Sequence, residues 1–395
     1  MGRLSIYIPP FAGDYSGVCS ALYDFNCLIV LCDANCCTKN YIDYDEPRWS
    51  RGKTTTLCAQ LRTMEVTLGD DSRILRQTAE AAQALKPDFI ALLGSPVPAI
   101  VGMDMKGMAR EVEALSGVPA LGLDTTGFSS YHRGVEMALT ALFRRFAGPA
   151  APKIPRSVNL LGVTPLDFGA AGNADALRAA AESAGFQVLC SYAMDTGLEQ
   201  VRRSPGAAVN LVVSAPGLAL ARVMERELGI PYAAAVPVGG EGCRRVGALL
   251  ERALETGVSQ LPSDRPMAAQ GPGLLLVGDQ VAANSIRLAL RELGDRRPID
   301  VGSFFGLDEA LAAPGDLRLD READLIRALD SGRYAALMGD PLLARIPAAA
   351  SLEFLPLPHP AVSGRLHWDE VPLLTGGAMS GLLLQAASHL KGRLL

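Results

Sequence analysis

A repeated pattern of a short apolar run, a turn and an Ala- and Leu-rich segment extends through this sequence. Its first part contains the apolar runs CLIVLC (27–32), FIALLG (89–94) and PALGLD (119–124). Between the first two lies DDSRILRQTAEAAQAL (70–85), which has apolar residues at helical spacing. Alternation of strands and helices is typical of parallel sheets with right-handed crossovers. The pattern therefore predicts an α/β protein with doubly wound parallel sheets.

Two proline-rich stretches, FAGPAAPKIPRS and LPSDRPMAAQGPG, divide the 395 residues into three such units. Prolines in these stretches would interrupt a helix, and units of roughly 100–150 residues have a common domain size. We therefore expect Rossmann-like domains at residues 1–150, 151–265 and 266–395, the last ending in a helix. In the second domain, Asn173 or Asp175 is the expected N-cap of the first helix.

Composition excludes several classes of function. The net charge of −5 gives no basic surface for nucleic acid, and no apolar run reaches the roughly 20 residues of a membrane helix. No Gly-rich dinucleotide fingerprint follows a strand and no Walker A motif occurs, so we expect neither NAD binding nor ATP hydrolysis by this chain. The opening MGRLSIYIPPFAGDYSG lacks the apolar core of a secretory signal, which predicts a cytoplasmic protein with reduced thiols.

The cysteines are concentrated near the N-terminus. Six of the eight lie in the first sixty residues, and Cys190 and Cys243 lie far from them. Disulfides, core packing and an iron–sulfur or other metal site are the alternatives, and disulfides are the weakest because a chain of this length builds cores without them. The turn DANCCTKN follows the first strand, at the sheet edge where ligands of parallel sheets sit. The six cysteines in the first sixty residues are Cys19, Cys27, Cys32, Cys36, Cys37 and Cys58.

Several longer stretches together cover most of residues 8–128. They are PPFAGDYSGVCSAL, DANCCTKNY with YDEPRW, LCAQLRTMEVTLGDDSRIL, PDFIALLGSPVPAIVGMDMKGMAREVE and VPALGLDTTGF. These stretches resemble the nitrogenase component 1 superfamily, which contains nitrogenase subunits and their tetrapyrrole-reducing and other relatives. Two later stretches resemble elements of the family's second and third domains more loosely. They are VVSAPGLALARVMERELGIPY and LPHPAVSGRLHWDEVPLLTGGAMSGLLL. The resemblance implies three Rossmann-like domains, in agreement with the count of units.

The resemblance also implies an iron–sulfur cluster held between two subunits by cysteines of their first domains. Cys37 matches the ligand of a Gly-Cys turn, with Cys36 in the place of the glycine. The usual first ligand position falls near Phe11 or Ala12, and Cys19 lies a few residues beyond it.

The usual third ligand position falls at Ser95 or Pro96. Because neither is a cysteine, Cys58 is the candidate substitute. The resemblance therefore implies Cys19, Cys37 and Cys58 as the metal ligands. A 4Fe–4S cluster and a P-cluster-like 8Fe–7S cluster remain alternatives, since this set departs from the family's six-cysteine pattern. Cys27 and Cys32 flank a strand core and are interpreted as packing residues; Cys190 and Cys243 receive no role.

Catalytic residues are not assigned. VVSAPG has no cysteine where cofactor-bearing subunits have one, and the segment with His359 and His367 looks more like that of a partner-type subunit. In YIDYDEP, Asp43, Asp45 and Glu46 are either proton donors near the cluster or part of a solvated loop with local ion pairs. We favour the loop.

The resemblance implies one subunit of a two-component reductase that receives electrons from a separate ATP-dependent iron protein. A like-folded subunit is the expected partner, more readily a distinct chain in a heterotetramer than a second copy. Reductive C–S cleavage of small methyl thioethers, as in methylthio-alkane reductase, is the favoured reaction, with tetrapyrrole reduction as the alternative. A non-catalytic scaffold for metallocluster assembly and a cluster-free binding protein are the other hypotheses.

Overall fold

The computed structural model describes residues 5–34, 36–46, 48, 52–169, 172–262 and 271–388. Thirteen described strands form three sheets. The strands are β1 (Cys27–Cys32), β2 (Thr55–Cys58), β3 (Phe89–Gly94), β4 (Ala120–Leu123), β5 (Ser157–Val163), β6 (Gln187–Ala193), β7 (Val209–Val212), β8 (Tyr232–Ala234), β9 (Gly273–Val277), β10 (Ile299–Ser303), β11 (Leu317–Arg318), β12 (Tyr334–Gly339) and β13 (Glu353–Pro356).

Helices follow most of these strands. They are α1 (Asp14–Leu22), α2 (Cys36–Asn40), α3 (Thr63–Leu68), α4 (Ser72–Leu85), α5 (Pro96–Val101), α6 (Met105–Ser116), α7 (Tyr131–Phe146), α8 (Pro165–Phe168), α9 (Asn173–Ser183), α10 (Leu198–Arg203), α11 (Gly217–Leu228), α12 (Gly242–Thr256), α13 (Gln280–Glu292), α14 (Glu322–Asp330), α15 (Pro360–Ser363) and α16 (Gly377–Ser388). No helix within the described ranges is long and apolar enough to cross a membrane.

The strand orders are β2-β1-β3-β4, β6-β5-β7-β8 and β11-β10-β9-β12-β13, and neighbouring strands within each described sheet are parallel. The predicted α/β class with parallel sheets is confirmed, and β1 and β3 have the predicted bounds. The short strand β2 was not predicted. The expected boundary between residues 265 and 266 lies outside the described residues.

The first sheet has helices on both faces, as a doubly wound sheet requires. Because successive strand residues point to opposite faces, Ile29 and Leu31 pack with α1 and α7, whereas Leu28 and Val30 pack with α4 and α6. All six residues of β1 are buried. This two-sided burial explains why β1 reads as a continuous apolar run.

Shared cores join the three sheets. Helix α11 of the second unit packs in the same apolar cluster as α7 of the first. A second cluster contains β5 and α12 together with β9, α13 and α16. The N-terminal segment packs on the third unit, where the carboxylate of Glu322 accepts hydrogen bonds from the backbone N–H groups of residues 6–8. The described sheets are therefore packed against one another.

Helix α9 begins at Asn173, with Gly172 as its N-cap. The predicted capping role of Asn173 or Asp175 is therefore wrong. The amide of Asn173 instead donates to the carbonyls of Phe168 and Pro372 and accepts from the N–H of Leu374. Asn173 thus ties the second unit to the segment before α16.

Candidate functional site

The turn after β1 places cysteines at the carboxyl edge of the first sheet. Asp33 is buried, and its carboxylate accepts hydrogen bonds from the N–H groups of Cys37 and Thr38 at 2.8 and 3.2 Å. Ser95, which follows β3, donates from its hydroxyl to the same carboxylate at 3.4 Å. Asp33 therefore fixes the start of α2 against the end of the neighbouring strand.

Cys37 has a partly exposed thiol that forms a side-chain hydrogen bond with Tyr15 of α1. Burial and the nearby Asp33 carboxylate raise the pKa of Cys37, and the hydrogen bond with Tyr15 acts in the opposite direction. The thiol of a free Cys37 is therefore disfavoured as a thiolate, and a bound cation would reverse that preference.

Cys58 lies near Cys37 along the same edge. It is the last residue of β2 and pairs with Leu31 in β1. Its thiol donates to the backbone carbonyl of Asp33 at 3.4 Å. Asp33 therefore contacts Cys58 through its carbonyl and Cys37 through its carboxylate.

Cys19 is not at this edge. It lies in the middle of α1, has no exposed surface and belongs to the same core cluster as Cys27 and Tyr41. Burial, followed by the fields of Glu46 and Asp45, raises its pKa well above the ordinary value. The structure thus brings Cys37 and Cys58 to one edge and leaves Cys19 in the core.

The other cysteines differ in exposure. Cys36 is exposed beside Cys37, whereas Cys27 and Cys32 are buried at the two ends of β1, as expected of packing residues. Cys190 is buried in β6 and Cys243 is half-buried in α12. All eight thiols are free.

Exposed apolar residues lie to one side of the cysteine edge, in α5 and in the loop after β4. Ile100 is 74% exposed and Phe128 is 71% exposed, with Val97 and Val101 also exposed beside them. The loop approaches Tyr15 closely: a Cβ on Gly127 would lie 2.8 Å from Pro96 and 3.4 Å from the Tyr15 ring. Exposed apolar residues clustered in this way mark interaction surfaces.

Residues 41–46 of the acidic segment are only partly solvated, and Tyr41–Asp45 form a π-helical turn rather than the expected loop. Asp43 forms an exposed ion pair with Lys39, as the local-pair interpretation predicts. Asp45 and Glu46 are buried, which that interpretation did not predict. Glu46 pairs with Arg48, and Asp45 accepts a hydrogen bond from Ser16 of α1 at 2.6 Å.

A second polar cluster lies where the three sheets meet. Its members come from the start of α7, from α8 after β5, from the N-cap of α13 after β9, and from the loop after β13. In each case the side chain follows the carboxyl end of a parallel strand, where α/β proteins place their ligands. The members are Tyr131, His132, Asp167, Asp279 and His359.

Hydrogen bonds connect this junction cluster. The hydroxyl of Tyr131 donates to Asp167, and it lies 3.0 Å from Nε2 of both His132 and His359. Nε2 of His132 also lies 3.4 Å from Asp279 Oδ2. Burial alone would raise the pKa of Asp167, but the hydrogen bond with His359 and the field of His132 lower it. The carboxylate of Asp167 is therefore held ionised inside the protein.

A cavity of about 70 Å³ opens beside the junction cluster. The polar residues Asp167, Asn173, Asp279 and His359 line part of it. Aliphatic and thioether side chains line most of the rest, including Leu276, Ile286, Met338, Leu374 and Met379. The cavity can therefore hold a few water molecules or one very small, largely apolar molecule.

Most of this cluster is not among the site residues predicted from the sequence. His359 lies in a segment that resembles a partner-type subunit, and His132, Asp167 and Asp279 are not predicted site residues. Asp167 and Asp279 each follow a strand by a few residues, and that position was the available signal. In the described parts of the chain, His132, Asp167 and Asp279 form the one group of three or more His, Cys, Asp or Glu residues with candidate ligand atoms within 4.8 Å of one another.

Comparison with known proteins decides the family. Residues 15–270 match the family of nitrogenase component 1 type oxidoreductases. The chain belongs to this family. The predicted superfamily is therefore confirmed.

Two relatives of this nitrogenase component 1 type chain illustrate the range of the family. The nitrogenase iron-molybdenum cofactor biosynthesis protein NifE of Bradyrhizobium diazoefficiens is 24% identical over 182 residues, which are 45% of this chain and 32% of the relative. A subunit of the light-independent protochlorophyllide reductase of a Roseiflexus species is 29% identical over 185 residues, which are 46% of this chain and 32% of the relative. The chain spans about a third of the length of these relatives.

A solved structure described as nitrogenase Cp1 at pH 6.5 has the same fold. It superposes with a TM-score of 0.73 and 13% identity, and the match covers all of this chain and 96% of the other. At this identity the likeness establishes the fold of this nitrogenase component 1 type chain and leaves its substrate open.

Proposed function

We propose that this chain is one subunit of a nitrogenase-like two-component reductase. In the proposal, a like-folded subunit covers the cysteine edge, an iron–sulfur cluster lies between the two, and an ATP-dependent iron protein supplies electrons. The observation that carries the proposal is the partly exposed thiol of Cys37 at a sheet edge bordered by the exposed apolar residues Ile100 and Phe128. An edge with this composition suits both a thiolate-bound cluster and a protein partner.

The residues at the edge fit an iron–sulfur cluster in part. Cys37 and Cys58 would hold it from this chain, because both residues contact Asp33 and are partly exposed. Thiolates around a multi-iron cluster bind different irons, so they need not lie as close together as the ligands of a single ion. Cys19 could join them only if α1 moved, since its thiol is enclosed. The cluster would pass electrons between the iron protein and the site of reduction.

The proposed partner follows from the number of ligands. Two thiolates cannot saturate a 4Fe–4S or an 8Fe–7S cluster, so a second subunit must supply the rest. An interface that brings like-folded edges together on a twofold or pseudo-twofold axis would do so. We propose a distinct partner chain in a heterotetramer, because no cysteine lies in the VVSAPG segment where cofactor-bearing subunits have one.

Reductive cleavage of small methyl thioethers remains the favoured reaction. A thioether R–S–CH₃ takes up two electrons from the iron protein and two protons, and it yields a thiol R–SH and methane. The cavity beside the junction cluster, at about 70 Å³ and mostly apolar, is compatible with a small thioether and too small for a tetrapyrrole. Cavity size therefore favours the thioether over the tetrapyrrole for a substrate bound within this chain.

Metal analysis tests the cluster. The chain is co-expressed with a like-folded subunit from the same genome and purified without oxygen, and iron and sulfide are measured. We expect both elements in the wild-type complex and a large loss of iron in Cys37→Ala and Cys58→Ala. Cys243→Ala is the control, because Cys243 is also half-buried but lies in α12 of the second unit.

An iron-free complex, or equal iron loss in Cys243→Ala, would contradict the cluster. Cys19→Ala should keep its iron, since this thiol faces the core; loss of iron there would show that α1 opens in the assembly. Methane release from a methyl thioether in the presence of the iron protein and ATP tests the reaction itself.

The relatives favour a second candidate, a scaffold for metallocluster assembly. NifE is named for biosynthesis of the iron-molybdenum cofactor. A scaffold releases its cluster to an acceptor protein, whereas a reductase keeps its cluster through turnover. Incubation of the iron-loaded complex with a cofactor-deficient acceptor, followed by separation and iron analysis of both proteins, distinguishes the two.

A further inference from the structure

We propose that His132, Asp167 and Asp279 form a binding site for one divalent first-row transition-metal ion. The site lies in the junction cluster, and it does not depend on the proposed iron–sulfur cluster at the cysteine edge. Its ligands are Nε2 of His132 and one carboxylate oxygen from each aspartate. Each comes from a different unit of the chain, so a bound ion would connect all three units.

The distances suit a single ion. Two ligands bound at about 2.1 Å to the same ion lie no more than about 4.2 Å apart. His132 Nε2 and Asp279 Oδ2 are separated by 3.4 Å, and the candidate ligand atoms of all three residues lie within 4.8 Å of one another. The three candidate ligand atoms therefore need to approach one another by less than the length of a bond before all of them can coordinate one ion.

Other contacts already orient the carboxylates. Asp279 caps α13 through Oδ1 and accepts the N–H of Ala215 through Oδ2. Asp167 accepts from Tyr131 through Oδ1 and from the hydroxyl of Thr164 through Oδ2. Asp279 Oδ1 accepts from both Val281 and Ala282, so Oδ2, which faces His132 Nε2, is the oxygen with a lone pair for a metal. Hydrogen bonds of this kind hold metal-ligating carboxylates in place in known sites.

Charge and space favour a cation here. The side chains of Asp167 and Asp279 are 2% and 4% exposed, and the structure pairs them with imidazoles. One divalent ion would balance both buried carboxylates. The adjoining cavity of about 70 Å³ leaves room for water ligands. His359 lines that cavity, is 7% exposed, and has no partner for Nδ1 among the described residues, so a metal-bound water is a fitting neighbour for it.

Manganese is the probe that separates this site from the cysteines. One imidazole with two carboxylates suits Mn²⁺, Fe²⁺ or Zn²⁺, whereas thiolates select softer ions, so Mn²⁺ avoids the cysteine edge. After chelation and desalting, Mn²⁺ binding is followed by electron paramagnetic resonance of the free and bound ion. We expect one ion per chain, with a spin-echo modulation from a directly bound imidazole nitrogen.

His132→Gln and Asp167→Asn should each weaken Mn²⁺ binding by at least about tenfold, and His132→Gln should abolish the nitrogen modulation. His367→Gln is the control, because His367 pairs with Glu370 on the surface, away from the cluster. Cys37→Ser should bind Mn²⁺ like the wild type, which separates this result from the proposed function. Circular dichroism checks that each variant is folded.

Absence of bound Mn²⁺ in the folded wild type would overturn the site. Bound Mn²⁺ without nitrogen modulation, or with unchanged affinity in both His132→Gln and Asp167→Asn, would also overturn it. If both variants fail to fold, the nitrogen modulation in the wild type decides whether the ion occupies the proposed site, since His132 is the one imidazole in the proposed ligand set.

Discussion

At the scale of single residues, the burial of Asp45 leads to a clear prediction about how stability depends on pH. Burial raises its pKa from an ordinary 3.8 to about 6, although the hydrogen bond from Ser16 acts in the opposite direction. The folded protein therefore binds this proton more tightly than the unfolded chain. The stabilisation is complete below about pH 4 and is lost as the pH rises through about 6.

Asp45→Asn should remove this loss, because the amide stays neutral and its oxygen can still accept from Ser16. Relative to the wild type, the free energy of unfolding of the variant should rise by up to about 3 kcal/mol between pH 4 and pH 7. Urea unfolding across this pH range measures the difference. Asp43→Asn is the control, since Asp43 is exposed and pairs with Lys39. The same pH dependence in both variants would refute the assignment.

Individual residues also show what sequence can and cannot predict. Cys37, in the short helix α2, lies at a sheet edge, as predicted, because its segment closely follows a strongly apolar strand. Cys19 was expected to join it, but its position in α1 turns the thiol to the core. The hydrogen bond between Tyr131 and His359 joins residues 228 positions apart, a separation that no local pattern reports.

At the scale of secondary structure elements, burial decides which strands the sequence reveals. β1 and β3 are buried along their whole length, so each is a continuous apolar run with recognisable ends. β2 is a sheet-edge strand with the polar sequence TTLC and no fully buried residue. Its pairing with β1 is a tertiary effect, which is why the strand itself could not be predicted from the sequence.

The crossing of α1 and α7 depends on two glycines. A Cβ on Gly17 would lie 2.1 Å from the carbonyl oxygen of Tyr131, and one on Gly134 would lie 1.8 Å from that of Asp14. Backbone cannot yield as a flexible side chain can. Gly17→Ala should therefore destabilise the protein by about 1–3 kcal/mol, which thermal unfolding would show as a lower Tm.

Gly381→Ala is the matched control for this crossing. Gly381 is also inside a helix, α16, but a Cβ there would meet no atom within 4 Å. Alanine favours the helix over glycine by roughly 0.5–1 kcal/mol, so this variant should be as stable as the wild type or more stable. If the two substitutions gave the same change in Tm, the close crossing would not be the cause.

At the scale of the whole molecule, the three packed units create both candidate sites in different ways. The cysteine edge belongs to the first sheet and faces outward, whereas the junction cluster exists only because α7, α8 and α13 meet. The units are predictable from local patterns. The junction is not, because the relative placement of the units follows from packing between distant helices.

The last prediction concerns assembly and follows from the outward-facing cysteine edge. Ile100 is exposed in α5, which follows β3 at the carboxyl edge of the sheet, whereas Leu85 precedes β3 and is 48% exposed at the opposite edge. If a like-folded subunit covers the cysteine edge, a charge at Ile100 is buried without a partner on assembly, and such a charge costs several kcal/mol. Ile100→Asp should therefore abolish co-purification of the partner and lower the bound iron, while the Tm of the chain expressed alone stays unchanged.

Leu85→Asp places the same charge outside the proposed interface and should leave the complex and its iron intact. Light scattering with metal analysis measures both quantities, and an Ile100→Asp complex of full mass and iron content would place the interface elsewhere.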